Sequence, residues 1–182
     1  MPQPTTTGGG LMGYPTTVDT GGIVPQMLAP DAGDAANLGT GALTAGVAYF
    51  SSVLVFSPCT VTKMRCQLSG APTGNIDMGI FDSTGTNGGP GNMLAHTGAI
   101  LSATGVFTQN LTANLALSPG LYWLAWLDTV ADTVFRVAAT NIGGNPSVRS
   151  SATNLTVLAS SIAVVNTGNR VAVVGMLSGG YT

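Results

Sequence analysis

Residues 120–128, GLYWLAWLD, decide the fold. In an extended chain Leu121, Trp123, Ala125 and Leu127 point one way, and Tyr122, Leu124, Trp126 and Asp128 point the other. Both faces are apolar. Such a strand lies inside a sheet with one face on the core, and its second face must be covered by a loop, the amino-terminal segment or another subunit. Tyr122, Trp123 and Trp126 are therefore read as core or intersubunit packing. A sugar-stacking platform would place exposed aromatics beside convergent hydrogen-bonding groups, and the polar set around these residues is thin.

The runs on either side repeat this texture. VAYFSSVLVF (47–56) and TVTKMRCQLS (60–69) are β-branched and aromatic, separated by Ser57-Pro58. In GNIDMGIFD (74–82), Ile76, Met78 and Ile80 share one face while Asp77, Gly79 and Phe81 share the other. STGTNGGPGN (83–92) is a turn, since Gly and Asn accept positive φ and Pro90 cannot donate to a ladder. MLAHTGAILSA resumes as one or two short strands, followed by a strand through Leu111–Leu117, TVFRVAA (133–139), a loop at 140–147 and a closing strand in 171–177. Residues 150–169 fit either short strands or a loop crossing the sandwich. No helix-sized amphipathic segment intervenes. The expectation is an all-β domain, an antiparallel β-sandwich or jelly roll over residues 45–182.

Composition agrees. Of 182 residues only 7% are charged, with five Lys plus Arg, seven acids and a net charge of -2, alongside 26 Gly. Every acid is Asp, and the near absence of Glu and Lys argues against exposed helix faces. Lys63, Arg65, Arg136, Arg149 and Arg170 are scattered, so no basic stripe exists for nucleic acid. No apolar run is long enough for a membrane helix, and the opening residues lack the basic and apolar regions of a signal peptide. Synthesis in a cytoplasm without membrane insertion is expected. A surface this poor in charge offers little repulsion between copies, so an oligomer or assembled particle is expected too.

Residues 1–44 hold Gly, Thr, Pro and Ala with isolated apolar residues, and cannot build a core of their own. They read as an extended amino-terminal arm that straps onto a neighbour through Leu11, Tyr14, Val18, Ile23 and Met27. DAGDAANL (31–38) adds at most a short helical turn capped by Asp31 or Asp34.

Chemistry is sparse. His96 is the only histidine, and no Ser sits in a nucleophile-elbow context. Asp77 with Asp82, and Asp128 with Asp132, are the close acidic pairs within residues 45–182; Asp82 and Asp128 stand at strand ends, where Asp organises turns. GGPG (88–91) lacks the Lys-Ser/Thr ending of a phosphate loop. Cys59 and Cys66 are seven positions apart on one run, which in a straight strand sets them on opposite faces about 23 Å apart. They are expected as buried free thiols. No cofactor, metal site or enzymatic activity is expected.

GNIDMGIFDSTGTNGGPGNMLAHTG and the later LSPGLYWLAW together resemble a β-sandwich module of tailed-bacteriophage structural proteins. The resemblance rests on Gly79-Ile80-Phe81-Asp82, Pro90-Gly91 with Met93-Leu94, and Pro119-Gly120 with Tyr122-Trp123-Leu124-Ala125, and covers roughly residues 46–140. It implies a non-enzymatic virion protein, trimeric, on the particle surface. With the arm it suggests a capsid decoration or cement protein docked on the major capsid protein. The alternative is a tail-fibre or receptor-binding module that recognises host surface polysaccharide through loops near Asn87, His96 and Asn141.

Overall fold

A computed structural model of the chain describes residues 18–19, 22–23, 39–42, 44–68, 73–101, 103, 105–131, 133–137, 147–166, 171–172 and 174–178. The described strands are β1 (Val18–Asp19), β2 (Gly22–Ile23), β3 (Gly39–Ala42), β4 (Tyr49–Val55), β5 (Cys59–Leu68), β6 (Asn75–Phe81), β7 (Met93–His96), β8 (Ile100–Leu101), β9 (Gly105–Leu117), β10 (Gly120–Asp128), β11 (Thr133–Val137), β12 (Ser147–Ser150), β13 (Val164–Asn166), β14 (Val171–Ala172) and β15 (Val174–Ser178). All pairings among them are antiparallel.

Sheet I has seven strands in the order β13-β12-β4-β10-β6-β7, with β8 also on β6. Sheet II has six, β14-β11-β5-β15, with β3 on β11 and β9 on β5. The two sheets pack face to face as a β-sandwich, and β10 lies in the middle of sheet I, as its two apolar faces require. Met78, Ile80, Leu124 and Trp126 of sheet I meet Val61, Met64, Cys66 and Met176 of sheet II in the main core. The segment read as an arm contributes β3, whose four residues pair along β11, while the β1–β2 hairpin lies beside β15.

Two crossovers run side by side at one end. Phe56-Ser57-Pro58 carries the chain from β4 in sheet I to β5 in sheet II, and Ser118-Pro119 carries it back from β9 to β10. The pairs Val55↔Gly120 and Cys59↔Leu117 hold these turns together.

One expectation fails here. Cys59 and Cys66 do not point to opposite faces; both are buried in the same core as free thiols. The reason is a bulge at Thr62: Leu177 and Ser178 are consecutive on β15, yet they face Lys63 and Val61 on β5. One extra residue reverses the alternation, so Cys59 and Val61 point inward before it and Met64, Cys66 and Leu68 after it. Opposite Thr62, β9 also gives way, from Leu115 to Asn110.

Candidate interaction surface

The two tryptophans occupy opposite faces of β10. Trp126 is 1% exposed and belongs to the core between the sheets, whereas Trp123 is 3% exposed and belongs to a second apolar cluster on the outer face of sheet I. That cluster holds Phe50, Phe81, Ala125 and Leu127, with the rings of Phe50 and Phe81 meeting edge to face at 5.2 Å. Its cover comes from the same chain. Residues 151–163, between β12 and β13, fold back over sheet I and insert Leu155, Leu158 and Ile162. The ends of this strap meet where the Ser151 N–H donates to the Ala163 carbonyl at 2.9 Å, which makes it an Ω-loop.

Asp77 fastens the strap. Its carboxylate is buried at mid-strand and accepts the Leu158 N–H at 2.9 Å, the Thr97 hydroxyl at 3.3 Å and a hydrogen bond from His96 Nδ1 at 3.0 Å. Because a carboxylate only accepts, this bond requires a proton on His96 Nδ1. Beside Asp77, the missing side chain of Gly79 admits Leu158: a Cβ there would lie 2.7 Å from Leu158 Cδ1. Further ties are the Leu155 N–H to the Gly46 carbonyl at 2.9 Å and the Met93 N–H to the Ser160 carbonyl at 2.8 Å. The Ser150 hydroxyl donates to the Ala152 carbonyl at 2.7 Å and accepts the Ala48 N–H at 3.0 Å.

The glycine-rich turn has its own organiser. Asp82 Oδ1 accepts from the Thr84 hydroxyl at 2.6 Å, the Asn92 N–H at 2.9 Å and the Thr84 N–H at 3.1 Å. A modest burial cost raises its pKa, but these bonds from Thr84 and Asn92 outweigh it, and the carboxyl is held below the usual range. Gly91 has to be glycine, since a Cβ would lie 2.2 Å from both Asp82 Oδ1 and Thr84 Oγ1. At the tip Asn87 adopts φ 56°, and the next carbonyl, of Gly88, accepts the Trp123 indole N–H at 2.9 Å. The turn therefore closes over one edge of Trp123. Asp128 likewise serves a strand end, accepting the Val130 N–H at 3.1 Å.

The residues named from the sequence are thus dispersed. Asn87 is exposed on the turn above Trp123, His96 is half-buried on the edge strand β7 against Asp77, and Asn141 lies outside the described residues. Of the arm anchors, Val18 and Ile23 are cross-strand partners in the β1–β2 hairpin; Leu11, Tyr14 and Met27 lie outside the described residues, as does the 31–38 segment. Tyr122 is half-buried and donates its hydroxyl to the Ser118 carbonyl at 3.0 Å, bracing the β9–β10 turn. Among the described residues no group of three His, Cys, Asp or Glu side chains is arranged to hold a metal ion. No helix of the described residues is long and apolar enough to cross a membrane.

What the strap leaves uncovered is the crossover end of sheet I. Leu54 and Leu121 face each other across β4 and β10, each 41% exposed, and Phe56 beyond them is 63% exposed. With exposed Pro58 and Pro119 they form an apolar end, and none of these five residues is charged. The sequence contains the signal for this patch, since Leu54, Phe56 and Leu121 continue the apolar outer face, but only the fold shows where the strap stops.

The sequence matches no family model, and no curated protein is significantly similar to it.

Proposed function

We propose that the chain is a non-enzymatic structural protein of a virus particle, a decoration or cement protein that binds the shell built by the major capsid protein. The single observation that carries this reading is the exposed apolar end at Leu54, Phe56 and Leu121, beyond the part of the outer face of sheet I that the strap covers around Trp123. Burying side chains of this size yields about 1.5–3 kcal/mol each, and a charge-poor rim adds little desolvation cost. The motif resemblance supplies the viral context. Glycan recognition is the weaker reading, because both tryptophans are already enclosed and unavailable for stacking.

The test is to purify particles from cultures that produce the chain and to measure its copy number against the major shell protein by quantitative mass spectrometry. A fixed ratio, lost when Phe56→Ser and Leu121→Ser are combined in a chain that still folds, supports the reading. Absence of the full-length chain from particles overturns it.

A further inference from the structure

Several sheet edges among the described residues are short. β13 is three residues long, β3 is four, and β7 is four residues with an irregular register. These are short edges that offer a foreign strand little to pair with. β9 is different. It runs for thirteen residues, Gly105–Leu117, and pairs with β5 on one side; among the described residues no strand forms a backbone ladder on its other side, although β7 lies beside it where the Thr112 hydroxyl donates to the His96 carbonyl at 3.0 Å.

Its sequence, GVFTQNLTANLAL, contains no Lys, no other charge and no Pro, so the usual chemical guards of an edge are missing as well. The irregularity opposite Thr62 interrupts only the stretch between Asn110 and Leu115; Gly105–Asn110 pairs residue for residue with Leu68–Lys63. That regular stretch has the length of an ordinary strand, about 20 Å, and on the side away from β5 its backbone donors and acceptors meet no partner among the described residues.

We infer that this edge is a self-association surface, on which β9 of a second copy pairs antiparallel across a two-fold axis to join the two six-stranded sheets. The chemistry selects the occupant. Exposed Thr108, Asn110 and Asn114 each carry both donor and acceptor groups, which complement their own copies, and a chargeless strand meets itself without the like-charge opposition that destabilises cross-strand pairs. A charged partner would find nothing on β9 to select it. Antiparallel pairing of identical edges is isologous and closes at two copies. It therefore differs from the three-fold association that the motif resemblance implies, and it does not rest on the particle reading: the dimer forms in solution with no shell present.

The mass of the purified full-length chain, measured by light scattering over a wide concentration range, is expected to rise from one copy to two. Thr108→Lys combined with Asn110→Lys sets like charges across the axis and is expected to return the mass to one copy with an unchanged melting temperature. Hydrogen exchange of the unsubstituted chain gives an independent check, because the amides of residues 105–110 that do not bond to β5 should gain protection as concentration rises. A wild-type chain that stays monomeric, a trimer, or a dimer that forms with no such protection each overturns the assignment.

Discussion

Leu158 occupies the place that a side chain on residue 79 would need: its Cδ1 lies 2.7 Å from the position of a Cβ on Gly79. The notch and the leucine are two halves of one joint. Gly79→Ala should destabilise the fold by about 1–3 kcal/mol through overpacking, and Leu158→Ala by about 2–4 kcal/mol through the cavity it leaves. Because the alanine at 79 then fits the space vacated at 158, the double variant should cost less than the sum of the two. Strict additivity in chemical denaturation would show that the residues do not share this space.

Asp77 makes a related prediction. Asp77→Ala leaves the buried Leu158 N–H without its acceptor, at a cost of about 1–3 kcal/mol, while the Thr97 hydroxyl can still donate to the Gly98 carbonyl at 3.1 Å. The strap should loosen first. Hydrogen exchange at Leu158 and Met93 is expected to accelerate well before exchange at Leu124 in the core, and uniform acceleration would show that Asp77 supports the whole sandwich instead.

Acid sensitivity should trace in part to Asp82. Its folded pKa lies below the ordinary value of 3.8, so its contribution is fully present above that value and is lost as pH falls through the folded one. Thermal melts of Asp82→Asn should be less stable than wild type at neutral pH, with the gap narrowing in strong acid. A gap that stays constant down to the lowest pH would exclude the carboxylate as the source.

Cys66 is a built-in reporter of opening. Burial pushes its thiol up to about 12, with the neighbouring Trp126 indole pulling the other way and the Asp128 carboxylate adding to the rise; burial also raises Cys59. At mildly alkaline pH almost no Cys66 thiolate exists in the folded protein. Labelling by an aromatic disulfide should therefore track unfolding as denaturant is added, and rapid stoichiometric labelling of Cys66 in buffer would contradict its enclosure.

Much of this arrangement is legible from residue patterns, because a strand apolar on both faces, such as β10, can only be central, and Asp77, Gly79 and Phe81 alternate cleanly with Ile76, Met78 and Ile80. What residue patterns do not carry depends on distant partners. Thr62 looks like any alternating residue, and its bulge exists only relative to β15. In the strap, Leu155, Leu158 and Ile162 follow no strand period and are three and four apart, which suits a helix equally well; the Gly79 notch and the Asp77 carboxylate decide their path. Asp77 itself, one of two acids close in sequence, gave no sign that a segment 81 residues away would be its partner.

The meeting of Ser151 and Ala163 has a further consequence. A segment that departs and returns at one point can grow without altering the register of any strand, and each doubling of a flexible loop's length costs only about 0.6 kcal/mol of closure entropy. Exposed Thr156 and Val157, between the anchors Leu155 and Leu158, mark a place where foreign peptide can be grafted for display while the frame beneath stays intact.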